Sequence, residues 1–219
     1  MKLLLTSGGI QNEAIKLALT NLLGKQINQA IVCYIPTAAI GDLTPHDWFV
    51  TEIKKAYDIG WKEFNLVDLS LPKDVISERI QKSDVVYVEG GNLYYLAEVI
   101  NKNNLQGVFQ NIFESNRVYV GVSAGSMIFC KNISVSSAKL FGEETHLDAS
   151  HAKSPFNLFN WYLKPHLYSK EFPDRTDSWI EKIAAKANFP IYAIDDDSAI
   201  QVLDDKVEVI SEGKWRLFE

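Results

Sequence analysis

Arg117-Val118-Tyr119-Val120-Gly121-Val122-Ser123-Ala124-Gly125-Ser126-Met127 is the stretch whose reading decides the fold. The run Arg117–Val122 is apolar and rich in β-branched residues, which marks a strand buried on both faces. At Ser123 the pattern changes to small residues and then to a helical spacing that continues to about Cys130. A buried strand that passes directly into a helix is half of a right-handed βαβ unit, and such units build parallel sheets.

Working outward, the same alternation repeats. Leu3–Thr6 reads as a first strand, followed by a helix over Asn12–Leu23 that Gly24 ends. Gln29–Ile35 is a second strand closed by Pro36, and Pro45–Ile59 a helical stretch stopped at Gly60. Glu63–Val67 is a third strand, Val75–Gln81 a short helix, and Asp84–Val88 a fourth strand. Asn92–Ile100 and Leu105–Ser115 read as helices. The region Ser134–Tyr162 is irregular, with Gly, Ser, Asn and Pro scattered through it. A helix resumes over Asp174–Ala187. Pro190–Ile194, Ala199–Leu203 and Lys206–Ile210 then read as strands, with Asp204-Asp205 as a hairpin turn. The expectation is one α/β domain over residues 1–219, with a mostly parallel sheet flanked by helices and an antiparallel edge near the C-terminus.

Composition narrows the function. The chain has 219 residues, enough for a full core, and a formal net charge of −6, whereas nucleic-acid binding needs a basic face. No run approaches the roughly 20 apolar residues of a membrane span, and the N-terminus lacks the longer apolar stretch of a signal peptide. The two cysteines, Cys33 and Cys130, sit in apolar patterns and read as buried free thiols, which fits a reducing cytoplasm. No His-Glu-x-x-His or cysteine-rich pattern suggests zinc, so neither metal nor organic cofactor is expected.

The chemistry concentrates at strand ends, where ligands bind in open α/β sheets. Gly121-Val122-Ser123-Ala124-Gly125 is a Gly-x-Ser-x-Gly turn of the kind that bends hard and exposes a serine oxygen. Ser123 is therefore the candidate nucleophile, in an unusual backbone conformation, and the Ala124 N–H a candidate oxyanion donor. Glu89-Gly90-Gly91-Asn92 follows the fourth strand at the same edge. There Gly91 can present a backbone N–H without a side chain in the way, and Asn92 suits a helix N-cap.

A serine nucleophile needs a base, and the base an orienting acid. Of His46, His146, His151 and His166, the first reads as a surface or cap residue. His166 follows Pro165, whose ring restricts the backbone before it, and leads His151 as the base. The acidic run Asp195-Asp196-Asp197 follows an apolar strand and can supply the acid.

These features resemble peptidase family S51, the group of dipeptidase E and cyanophycinase. The resemblance rests on Ser7-Gly8-Gly9 after the opening strand, the Val88–Asn92 and Gly121–Gly125 turns, Pro165-His166, and Ile194–Val202. It implies a class I glutamine amidotransferase-like fold and a serine peptidase. Ser123 then matches the nucleophile, His166 the base, and Gly91 and Ala124 the oxyanion donors. Asp196 falls where the family has a glutamate, a departure by one methylene. Arg175 matches an arginine-bearing stretch linked to acidic substrates, which implies a dipeptidase with acidic preference. The implied partner is a small peptide, with no nucleic acid or membrane, and a homo-oligomer is compatible with this reading. Two alternatives stand beside it. One is an esterase of the α/β-hydrolase kind, whose acid would lie between serine and histidine at Glu143, Glu144 or Asp148. The other is a non-catalytic binding protein on an amidotransferase-like fold.

Overall fold

The computed structural model describes residues 1–42, 44–131, 133–142 and 153–219. Its strands are β1 (Lys2–Thr6), β2 (Ile31–Ile35), β3 (Glu63–Leu66), β4 (Val85–Val88), β5 (Val118–Val122), β6 (Tyr162–Lys164), β7 (Ile191–Ile194), β8 (Ser198–Leu203), β9 (Lys206–Ser211) and β10 (Trp215–Phe218). The helices are α1 (Glu13–Leu23), α2 (Thr37–Ile40), α3 (Asp47–Asp58), α4 (Lys73–Gln81), α5 (Leu93–Lys102), α6 (Gln106–Phe113), α7 (Ala124–Met127), α8 (Val135–Phe141) and α9 (Asp177–Ala184). Local chemistry sets several ends. Asn12 and Asn92 accept from the N–H groups of Ile15 and Tyr95 as N-caps, and Gly24 closes α1 in the left-handed region.

The main sheet has the order β3-β2-β4-β5-β1-β8-β9. Its first five strands are parallel, and β8 and β9 complete it antiparallel, as expected for the C-terminal edge. The central strands are buried on both faces because side chains alternate at period two. Leu4, Tyr34, Val85, Tyr87 and Val120 pack with Ile15, Leu19 and Ala56 of α1 and α3. Leu3, Leu5, Ile35, Val86 and Val88 pack the other way, with α5, α6 and α7. Cys33 and Cys130 are free and buried, and burial pushes both thiols up to about 12. Among the described residues, no helix is long and apolar enough to cross a membrane.

The structure corrects the sequence reading in three places. The Pro190–Ile194 strand does not join the main sheet. It forms β7 of a second, three-stranded sheet of order β10-β7-β6, and β10 was not expected from the sequence. The helix anticipated from Ser123 to Cys130 is a single turn, α7, because the chain then enters a bridge from Cys130 to Phe159. The region Ser134–Tyr162 is not wholly irregular. Ser134 caps α8 in a reciprocal box with Ser137, a pairing that a glutamate-based signature does not reveal.

Candidate active site

Four strand ends meet at the site. β1 and β5 are adjacent and parallel, with Thr6 opposite Val122, so Ser7 and Ser123 leave the main sheet side by side. The Ser123 N–H donates to the Thr6 carbonyl at 3.1 Å and locks the two ends together. β6 and β7 are also parallel, with Lys164 opposite Ala193, so His166 and Asp196 leave the small sheet together. The chain then returns through β8 alongside β1, which brings Asp196 to Ser7.

Ser123 sits at φ 46°, ψ −108°, a strained conformation for a residue with a Cβ, as the Gly-x-Ser-x-Gly turn predicts. The turn can be this sharp because a Cβ on Gly125 would lie 2.2 Å from the Val88 carbonyl oxygen. The Ser123 hydroxyl is 2.9 Å from His166 Nε2, and His166 Nδ1 is 2.6 Å from Asp196 Oδ1. With its proton on Nδ1, directed at the carboxylate, the imidazole has Nε2 available to accept from Ser123. The imidazole is mostly shielded from solvent and stacks on Phe172, with ring centroids 5.0 Å apart.

Of the three consecutive aspartates, only Asp196 reaches the ring. Asp195 accepts from Ser198 Oγ at 2.5 Å and from the Lys214 N–H, while Asp197 is exposed. The shorter side chain of an aspartate suffices because His166 is drawn in by its backbone. The His166 N–H donates to Ser7 Oγ at 2.8 Å, and that hydroxyl donates to Asp196 Oδ1 at 2.8 Å. Ser7 is fully buried. Burial opposes the charge on Asp196, but the His166 ring and the hydroxyls of Ser7 and Ser169 outweigh it and hold the carboxyl at about 2.

Gly91 has φ 127°, and a Cβ there would lie 2.4 Å from the Ala38 carbonyl oxygen, so only glycine fits. Gly91, Ala124 and Ser123 line one cavity of about 660 Å³. Among the described residues, neither the Gly91 nor the Ala124 N–H has a hydrogen-bond partner in the protein. Arg175 lines the same cavity. Its guanidinium lies over the Phe172 ring, 3.7 Å from the centroid, and donates to the Pro165 carbonyl at 3.2 Å. A second cavity of about 720 Å³ also contains Ser123 and His166.

Three site residues escaped the sequence reading. Ser7 was visible only as part of a Ser-Gly-Gly turn. Lys164 is buried, with its Nζ 5.0 Å from the Phe141 ring centroid and in the Ser123 cavity. Its signal was a lysine directly after the apolar run Trp161-Tyr162-Leu163. Glu89 is buried in the second cavity. His46 stands at the N-cap of α3, as anticipated, with its ring 3.0 Å from the Ala39 carbonyl. His146, His151, Glu143, Glu144 and Asp148 lie outside the described residues.

The sequence model of peptidase family S51 matches residues 3–210. An uncharacterized peptidase of Listeria monocytogenes is 28% identical over 83% of this chain and 83% of its own length. Peptidase E of a Nostoc species is 23% identical, covering 91% of this chain and 79% of the relative. A crystal structure of a Listeria monocytogenes EGD-e protein superposes with a TM-score of 0.74 at 21% identity, over 97% of this chain and 98% of that one. A peptidase from an acI-B1 actinobacterium superposes with a TM-score of 0.70 at 21% identity, over 100% and 90%.

Proposed function

The chain belongs to peptidase family S51, and from that premise we propose that it is a serine peptidase that hydrolyses short peptides through Ser123, His166 and Asp196. The observation that carries the reading is the continuous contact from Ser123 Oγ to His166 Nε2 at 2.9 Å and from Nδ1 to Asp196 at 2.6 Å. In this reading Ser123 Oγ attacks the scissile carbonyl carbon while its proton passes to Nε2. Asp196 stabilises the imidazolium, and the Gly91 and Ala124 N–H groups receive the oxyanion. The C–N bond then breaks, Nε2 returns the proton to the leaving amine, and an acyl-enzyme remains. Water, deprotonated by His166, releases the second product and restores Ser123.

The chain order serine, histidine, acid argues against the esterase reading, which needs the acid before the histidine. The intact proton path argues against a binding protein without catalysis. The cavities of about 660 and 720 Å³ that Ser123 lines suit a substrate of a few residues, which favours a dipeptidase. Arg175, over the Phe172 ring in the cavity that holds Ser123, supports a preference for acidic residues through its guanidinium. The reduced, buried thiols support a cytoplasmic location. The deciding experiment is hydrolysis of a dipeptide panel by wild type and Ser123→Ala. The variant should lose on the order of 10³-fold or more in kcat with an unchanged unfolding curve. Retention of most activity would reject the nucleophile, and equal kcat/KM for aspartyl and alanyl dipeptides would reject the acidic preference.

A further inference from the structure

Glu89 is a buried carboxyl that the proposed chemistry does not use. It is the last residue before the Gly90-Gly91 turn and is 2% exposed. Its backbone is pinned to β2, because its N–H donates to the Ile35 carbonyl at 3.0 Å. Its side chain folds back on the turn. Oε1 accepts from the Gly90 N–H at 2.7 Å, and Oε2 accepts from the Tyr34 hydroxyl at 2.6 Å. Gly90 in turn abuts the nucleophile, since a Cβ on it would lie 3.1 Å from Ser123 Cβ. A chain of contacts therefore runs from Tyr34 through Glu89 and Gly90 to the peptide that presents the Gly91 N–H.

We propose that Glu89 is a positioning residue for this turn and that its neutral carboxyl is the form that supports turnover; the inference rests on the reading of Ser123 as nucleophile and Gly91 as oxyanion donor. The neutral group keeps both contacts: its carbonyl oxygen accepts from Gly90, and the contact with Tyr34 reverses, the carboxyl O–H donating to the phenol oxygen. Ionisation keeps the bonds but adds a full charge in a poorly solvated place, close to where a second negative charge must develop. Like charges in such a medium oppose one another. The surroundings agree. Burial raises the Glu89 carboxyl to about 7, against the pull of the Tyr34 and Gly90 bonds. Glu52 of α3 raises it further, Lys55 of α3 lowers it, and Tyr87 of β4 faces it as a neutral phenol.

Glu89→Gln tests this, because the amide reproduces the neutral form: its oxygen accepts from Gly90 and its NH₂ donates to Tyr34. The assay is the rate of Ser123 phosphonylation by a fluorophosphonate, followed from about pH 5 to about pH 9, together with kcat on whichever dipeptide wild type cleaves. Wild type should lose on the order of tenfold above neutrality, the effect of one charge acting in a low-dielectric site. Glu89→Gln should lack that alkaline decline. Tyr34→Phe removes a bond that favours the charged form, so it should move the decline to higher pH, and it provides the test if the glutamine variant does not fold. A wild-type profile with no alkaline decline, a decline that persists in Glu89→Gln, or one that stays in place in Tyr34→Phe would each overturn the inference. No labelling of Ser123 in wild type at any pH would instead reject the nucleophile itself, and this inference with it.

Discussion

Ser7→Ala is the most informative perturbation of the site, because the hydroxyl it removes holds two members of the proposed triad at once. That hydroxyl is fully buried, accepts from the His166 N–H at 2.8 Å and donates to Asp196 Oδ1 at 2.8 Å. Alanine leaves the His166 N–H without its partner, at roughly 1–3 kcal/mol. It also removes a charge-assisted bond to Asp196, which would be worth roughly 1.5–3 kcal/mol if buried. Asp196 is 37% exposed, so water replaces part of that second loss. The expected destabilisation is therefore about 2–3 kcal/mol, read as a lower urea midpoint with unchanged slope. His166 has φ 63°, a conformation with its own steric cost, so a loosened backbone should let the ring drift from Ser123. That drift should lower kcat by roughly 10- to 100-fold with little change in KM. The assay is initial-rate hydrolysis of a cleaved dipeptide, repeated in an Asp196→Asn background. If Ser7 acts through Asp196, its effect on kcat shrinks there, as coupled groups do in a double-mutant cycle. A kcat within about twofold of wild type, or the same loss in both backgrounds, would refute the reasoning.

Other outcomes follow from the same geometry. Asp196→Asn keeps the shape but removes the charge that orients the imidazole, and kcat should fall by about 10³- to 10⁴-fold; an unchanged kcat/KM would reject Asp196 as the third member. Since its carboxyl is held at about 2, below the usual 3.8, its contribution to stability is complete above about pH 4 and lost as pH falls toward 2, which acid titration of the folded state by NMR would check. Gly91→Ala places a Cβ against the Ala38 carbonyl in a backbone region hostile to alanine, so kcat should fall by about 10²-fold or more; full activity would exclude Gly91 as an oxyanion donor. Glu89 titrates near 7 folded but near 4.5 unfolded, so the folded state holds more protons between those values and stability must decline as pH rises through that window. The full decline is roughly 3 kcal/mol, and urea unfolding at about pH 5 and pH 8 should find most of it in wild type and none in Glu89→Gln.

What could be read without coordinates was local. The buried run Val118–Val122 ending in Gly-x-Ser-x-Gly announced both the central strand and the strained serine, because hydrophobic period and turn chemistry act over a few residues. The cap at Asn92, the Gly24 stop of α1 and the hairpin at Asp204-Asp205 belong to the same category. The second sheet did not, because β6, β7 and β10 are short and their pairing depends on segments far apart in the chain.

The site divides along the same line. The serine, the histidine after Pro165 and the acidic run were each evident as residue types in suggestive contexts. The residue pattern alone left Asp195, Asp196 and Asp197 open, with Asp196 favoured only through the family resemblance, and the part played by Ser7 was not legible. Ser7 and His166 are 159 residues apart, and their contact exists only because β1, β5, β6, β7 and β8 bring four strand ends together. The sequence by itself therefore determined the strand-to-helix turns and the side chains available at them. Only the tertiary structure decided which of those side chains meet, since a hydrogen bond depends on tenths of an ångström across strand ends whose placement is set by the packing of the whole sheet.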